Sequence, residues 1–435
     1  MESRGDSSVL QGVRVLEIGG ELGAWCGKLI ADMGATVIKI EPPEGDPTRA
    51  YEPFYEDQPD PNKSLYFWHY NTSKRSVTLD LLSDRGRDLF LNMVESADVI
   101  IDSLPAGCLS SLSLGYEQIK TLSPAIVMAQ ITPFGQEGPF RDYASADLTA
   151  LAFGGPVWNC GYDDHSIPPI RGGGNQGYHT VCHYAAIGIM TALVYRQFTG
   201  VGQHIDVNMH AALNVTTEGA TYNWLVAGDT VQRQTGRHAS VTPTAPSQIL
   251  CRDGRYLNVG FPARTEEQWF HLLAWLDEEG LVESLGEYLD PPNWAAMRAG
   301  DPNAREQQRR VAEAMQALAM KTDSYDLFSR AQGLGFQWGI IYSPEDVLND
   351  PHFQARGFPT DVEHPELDAS FVYPGAPYKL PASPWAIQGR APLLGEHNEQ
   401  VYLEELGIEA GEYESLKSRG VICPTLTSLP MRPVT

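Results

Sequence analysis

Runs of apolar residues alternate with segments of helical periodicity through the first third of this chain. VRVLEIG (13–19) is a nearly continuous apolar strand ending in glycine, WCGKLIADMG (25–34) repeats its apolar residues at helical spacing up to Gly34, and ATVIKIEPP (35–43) is a second strand stopped by prolines. The pattern predicts a Rossmann-like β-α-β unit over Gly12–Pro43. The alternation continues with a helix over 84–96, a strand in ADVIIDSL (97–104) and another in AIVMAQI (125–131), as in a parallel sheet covered by helices.

Farther on, 179–195 is apolar nearly all round and predicts a helix inside the domain. QHIDVNM (203–209) alternates like a strand, and HAALNVTTEGATYNWLVAG (210–228) reads as one helix. The polar stretch 229–247 reads as a linker. SQILCRDGRYLNVGF (247–261) predicts strand-turn-strand about Asp253-Gly254, with amphipathic helices at 265–280 and 303–320. The expectation is an α/β protein. A large Rossmann-like domain (1–228) is completed by 385–435, a smaller α+β domain spans 241–340, and a linker with return strands covers 341–384.

Composition narrows the function. With 435 residues, 42% hydrophobic and 20% charged, the chain can bury more than one core, as an ordinary globular protein does. A net charge of −24 argues against nucleic acid, whose phosphates need clustered Lys and Arg. The longest apolar run, Tyr184–Tyr195, is too short to span a membrane, and MESRGDSSVLQG lacks a signal-peptide core, so a cytoplasmic protein without membrane contact is expected. Six cysteines without a CxxC pair predict reduced thiols.

Several residues invite chemistry. Gly20 and Gly23 before a helix, with Glu41 ending the next strand, hint at a dinucleotide site, but the GxGxxG spacing is incomplete and a tight strand-to-helix turn explains the glycines. His179 and His183 share one helix face, yet no third ligand has recognisable spacing, so no metal is expected. Asp163, Asp164 and His165 could fold near these histidines, and the two aspartates could instead supply a displaced carboxylate.

Five ordered segments resemble family III CoA-transferases of the CaiB/BaiF type, which share the formyl-CoA transferase-like fold. They are GVRVLEIGGELGAWCGKLIADMGATVIKIEPPEGDPTR (12–49), NTSKRSVTLDL (71–81), ITPFGQEGPFRDYASADLTALAFGG (131–155), the stretch from Arg171 to the TGVGQ turn at Gln203, and PLLGEHNEQVYLEELG (392–407). The resemblance implies two subunits threaded through one another. It also implies an aspartate that attacks an acyl-CoA, becomes an aspartyl-CoA thioester and hands CoA to an acceptor acid. Counting back from Gly188 without a gap, the family's nucleophile position is Tyr178 and its following glycine is Cys182. A phenol cannot hold CoA as a thioester, so the relay is expected to be absent at this site.

Other family positions depart in the same direction. Where the family carries an Asn and two Arg along the CoA phosphates, this chain has Ser103, Pro105 and Ser111. Lys74 and Arg75 remain, matching the family's N-K-R-S, as the expected CoA-binding cations. Ala146 replaces the histidine of the family's racemase branch, and Asp147 beside it stays. Glu21 falls near a substrate-facing Gln of some members. Asp147, Glu21 and His179 are thus the candidate catalytic residues, with none established.

The resemblance therefore implies the non-nucleophilic subunit of a heteromer, an interlocked heterodimer or heterotetramer with a related subunit that carries the aspartate, as in the succinyl-CoA:(R)-benzylsuccinate CoA-transferase of anaerobic aromatic breakdown. No tightly bound cofactor is expected, CoA and acyl-CoA being substrates of the complex. Two alternatives stay open: a homomeric acyl-CoA-processing enzyme using Asp147, Glu21, Tyr178 or His179, and a binding or regulatory protein on the same fold.

Overall fold

A computed structural model describes residues 8–260, 263–298 and 300–423. The chain divides into two compact units, one formed by Met1–Gly155, Gly173–Thr216 and Pro351–Thr435, the other by Pro156–Gly172 and Thr217–Asp350. The division differs from the expected boundaries. Residues 156–172 and 217–228 belong to the second unit, and 351–384 to the first.

In the first unit the apolar runs become a six-stranded parallel sheet. Its strands are β1 (Arg14–Ile18), β2 (Thr36–Glu41), β3 (Arg75–Thr78), β4 (Val99–Asp102), β5 (Val127–Thr132) and β6 (His204–Asn208), in the order β3-β2-β1-β4-β5-β6. The helices are α1 (Glu21–Asp32), α2 (Leu65–Tyr70), α3 (Asp84–Val94), α4 (Cys108–Ser111), α5 (Tyr116–Leu122), α6 (Asp147–Gly154), α7 (Gln176–Thr199) and α8 (Met209–Asn214). β4 and β5 are buried at every residue, which explains why they read as unbroken apolar runs rather than alternating ones.

The chain end completes this core. Val401, Tyr402, Tyr413, Leu416 and Ile422 pack with Leu89, Phe90 and Met93 of α3. Asn398 accepts from Thr78 N at 2.9 Å and donates to Thr78 Oγ1 and Cys423 O, both at 2.9 Å, pairing the edge of β3 with side-chain hydrogen bonds. The Tyr402 hydroxyl donates to Thr78 O at 2.9 Å.

A charged frame lies beneath the strand ends. Lys39 Nζ pairs with Glu17 Oε1 at 3.0 Å and Asp46 Oδ2 at 2.7 Å, while Arg49 forks onto Glu41 at 2.6 and 2.8 Å and lies over the Phe67 ring. Burial works against the Lys39 charge, but the carboxylates of Asp46 and Glu17 outweigh it and hold the ammonium above its ordinary range. The bend before α1 is fixed by close approach. Gly19 sits at φ +104°, and a Cβ there would lie 2.3 Å from Ser103 Oγ and 2.9 Å from the Ser103 carbonyl carbon. Gly23 is required by the same approach, a Cβ there lying 2.8 Å from Ser103 Cβ, whereas a Cβ at Gly20 would make only ordinary contacts.

Two expectations for the middle of the chain are corrected. α7 buries only one face, with Val181, Cys182, Ala185 and Ile189, and exposes apolar side chains on the other, Ile187 at 61% and Phe198 at 84%. An all-round apolar helix has no polar face to report which side meets solvent. The single helix expected over 210–228 is α8 and a separate α9 (Glu218–Ala227), broken where the chain passes from one unit to the other.

The second unit contains a hairpin, β7 (Gln232–Gln234) with β8 (Arg237–Ser240), inside the stretch read as linker. The antiparallel pair β9 (Gln248–Leu250) and β10 (Tyr256–Asn258) flanks the Asp253-Gly254 turn, as the sequence pattern predicts. Helices Glu266–Glu278 and Pro302–Lys321 close a core of Trp269, Leu272, Trp275, Val311 and Leu318.

Candidate functional site

The candidate site gathers where α1, α2 and α7 converge. Glu21 opens α1, where a carboxylate favours the helix dipole, and is half-buried. Its Oε1 accepts from the Tyr66 hydroxyl at 2.8 Å and from Asn175 Nδ2 at 3.4 Å, and its Oε2 from the Tyr51 hydroxyl at 3.3 Å. Tyr66 and Tyr70 lie one turn apart on α2, their ring centroids 4.6 Å apart. The Tyr70 hydroxyl is 2.9 Å from His179 Nε2.

Tyr178 lies in the first turn of α7 and is buried. Burial, reinforced by the charge of Glu21, pushes its phenol up to about 12, so it is a neutral hydrogen-bond donor at any physiological pH. Asp147, the first residue of α6, aims its carboxylate at the start of α7, and Oδ1 accepts from Gly177 N at 2.7 Å and Tyr178 N at 3.2 Å. It thereby satisfies amides that the helix itself leaves unpaired. Gly177 allows this approach, since a Cβ there would meet Asp147 Oδ1 at 2.9 Å.

His179 stacks on the Trp25 indole at 4.5 Å, and Trp25 also faces His69 at 5.8 Å. Burial lowers the basicity of His179, and the neighbouring His183 adds to it. His69 is pushed down to about 4, chiefly by burial and then by the Lys28 charge. His183 is exposed, with Nδ1 2.7 Å from His179 O. Among the described residues no group of three or more His, Cys, Asp or Glu stands together to hold a metal ion. The six cysteines are free thiols.

The expected CoA-facing cations are occupied elsewhere. Lys74 is buried, and Nζ meets Glu17 Oε2 at 2.8 Å, Ala24 O at 2.8 Å and Asn71 Oδ1 at 2.9 Å, which commits its donors to the charged frame. Burial pulls it down to about 8 against the attraction of Glu17. Arg75 pairs with Glu405 at 2.6 Å, a carboxylate shared with Arg14. Ser103 packs into the Gly19 bend, Pro105 is exposed, and Ser111 Oγ donates to Cys108 O at 2.7 Å within α4. One guanidinium does reach this turn: Arg141 lies against Gly107, so that a Cβ at Gly107 would meet its Nη2 at 2.0 Å.

The structure thus brings Glu21, Tyr178, His179 and Asp147 together and leaves Lys74 and Arg75 in other networks. Asp163 is held by both Arg237 amino groups and Asp164 by Ser166, within the second unit. Tyr51, Tyr66, Tyr70, Trp25 and Asn175 were not marked by sequence reasoning. The four-residue spacing of Tyr66 and Tyr70 was the available signal.

The family model described as CoA-transferase family III matches residues 10–398. Succinyl-CoA:(R)-benzylsuccinate CoA-transferase subunit BbsE of Thauera aromatica is 32% identical, over 94% of this chain and 97% of that protein. Formyl-CoA:oxalate CoA-transferase of Streptomyces coelicolor is 31% identical, over 96% of this chain and all of that protein. The crystal structure of a CAIB/BAIF family protein from Brucella suis superposes with TM-score 0.76 at 28% identity, covering 92% of this chain and 100% of that one.

Proposed function

The chain belongs to CoA-transferase family III, and from that premise we propose that it is the non-nucleophilic subunit of a heteromeric enzyme moving CoA from an acyl-CoA donor to a carboxylic acid. The observation that carries this reading is Tyr178: a buried, neutral phenol stands at the position where the resemblance calls for an aspartate. A CoA relay needs a carboxylate that can itself become a thioester. Succinyl-CoA is the proposed donor and an aromatic succinate the proposed acceptor, supported by the likeness to a benzylsuccinate CoA-transferase subunit.

A partner would supply the aspartate, and this chain would complete the assembly. The exposed apolar face of α7 supports a partner, because a helix face with Ile187, Val194 and Phe198 open to water favours burial against another surface. The test is to purify the chain alone and together with the most similar protein encoded beside its gene, and to measure CoA transfer and native mass. Transfer only by the mixture, abolished by replacing the partner's aspartate, is the expected result. Full transfer by the lone chain would refute the reading in favour of a homomeric enzyme, and no transfer by either would favour a binding protein.

A further inference from the structure

Asp102 ends β4, 2% exposed, and among the described residues it has no ion pair, unlike the buried acids of the charged frame. Two hydrogen bonds hold it instead. Oδ1 accepts from Leu104 N at 2.9 Å, in the turn that packs on the Gly19 bend, and Oδ2 accepts from Gln130 Nε2 at 2.7 Å. Gln130 is 5% exposed, and its Oε1 lies 2.7 Å from Nε2 of His204, an exposed residue whose ring stacks on Tyr116 at 5.3 Å. One hydrogen-bonded line thus crosses three neighbouring strands, β4, β5 and β6, from the interior to the surface.

A side-chain amide has an accepting end and a donating end, so the line has a direction. While Gln130 donates to the Asp102 carboxylate, its oxygen faces His204, and only an Nε2 that carries hydrogen can bond to it. A protonated Asp102 reverses the line. Its O–H needs an acceptor, the Gln130 amide turns end for end, and the amide nitrogen then meets an Nε2 that must be bare, with the ring hydrogen on Nδ1. Either arrangement satisfies the buried groups of the line, whereas a mixed one sets two like ends against each other.

We propose that Gln130 is a two-position switch whose end-for-end turn couples the protonation of buried Asp102 to the tautomer of His204 at the surface. The proton comes from solvent. A charged Asp102 grips Leu104 N more tightly than a neutral one, so the acidity of the medium sets how firmly the turn from Ser103 to Gly107 is held. Cys108 of α4 lies toward Asp102, while Glu117 of α5 and Asp206 of β6 lie toward His204, with Lys120 paired to Glu117 at 2.5 Å. Burial raises the Asp102 acid to about 6 against its two hydrogen bonds, and burial lowers the basicity of His204 while Asp206 and Glu117 raise it. Folding therefore favours the neutral Asp102, a stabilisation complete below its ordinary value of 3.8 and lost as pH rises through about 6.

The full chain is labelled with nitrogen-15 histidine, and the ring nitrogens of His204, assigned by their loss in His204→Phe, are followed by NMR. At about pH 8 the parent is expected to carry its ring hydrogen on Nε2. In Asp102→Asn the new amide can only donate to Gln130 while its oxygen keeps Leu104 N, so hydrogen is expected on Nδ1 at the same pH. The melting temperature of that variant is expected to exceed the parent's at about pH 8 and not at about pH 5. Gln130→Leu is expected to cut the link, leaving the His204 tautomer indifferent to Asp102→Asn. In the parent, the His204 ring and the Leu104 amide are expected to shift with one common midpoint. Hydrogen on Nε2 in both parent and Asp102→Asn, a tautomer change that survives Gln130→Leu, no gain in melting temperature, or two separate midpoints overturns the proposal.

Discussion

The charged frame under the sheet and the polar mouth above it differ in how fully their groups are committed. In the frame, Glu17, Lys39, Lys74, Asp46, Glu41 and Arg49 are all buried and satisfy one another within about the distance of a strong hydrogen bond. At the mouth, Glu21 and His179 are half-buried and lean on phenols that are themselves neutral. Charge alone therefore does not mark function. Lys74, in a family motif, is spent on its pairing with Glu17, while Glu21 at the start of α1 is held only by phenols and an amide.

That contrast can be broken most strongly in the frame. Lys39→Met leaves Asp46 buried without its cation and Glu17 with Lys74 alone, and is expected to cost about 3–5 kcal/mol, measured by urea unfolding of the full chain. A loss below 1 kcal/mol would mean that water reaches the frame and that the two regions are alike. The next effect is a pH dependence at the mouth. His69 is held at about 4 in the folded protein, so between its ordinary value near 6.5 and 4 the unfolded chain takes up a proton that the folded one refuses. Its contribution is present above about 6.5 and lost on descending through 4. His69→Phe is expected to reduce the fall in unfolding free energy between pH 7 and 4 by about 3 kcal/mol relative to the parent.

Asp147→Ala removes the acceptor from the first turn of α7 and is expected to cost about 1–2 kcal/mol, with the mouth disordered as seen by weaker quenching of Trp25 fluorescence. The smallest expected effect is Tyr178→Asp, which should leave CoA transfer by the lone chain at background, because Lys74 and Arg75 remain tied to Glu17 and Glu405. A competent enzyme from that single change would show that the rest of the mouth is an intact transferase site.

Strands β1, β2, β4 and β5 were legible because a strand buried on both faces has a continuous apolar run, and the turn at Asp253-Gly254 because its residue types set its geometry. α7 was legible as a helix but not in its orientation, since periodicity carries no information when every face is apolar. The break between α8 and α9 lay in an unbroken helical pattern, and only tertiary packing decided it. At the site, Tyr178 and Glu21 were found by position in the motif, whereas Tyr51, Tyr66 and Asn175 come from separate segments and meet only through the fold. Lys74 was legible as a cation, but the Glu17 carboxylate that it pairs with was not.

The bonds from Asn398 to Thr78 and Cys423 also set an order of events during synthesis. β3 and α3 leave the ribosome early, yet the groups that satisfy Thr78 and cover Phe90 arrive only with residues 398–422. The second unit, encoded between them, has its own core and can fold as it emerges. The sheet therefore stays half-covered until residues 398–422 have been made, however early its own strands emerge.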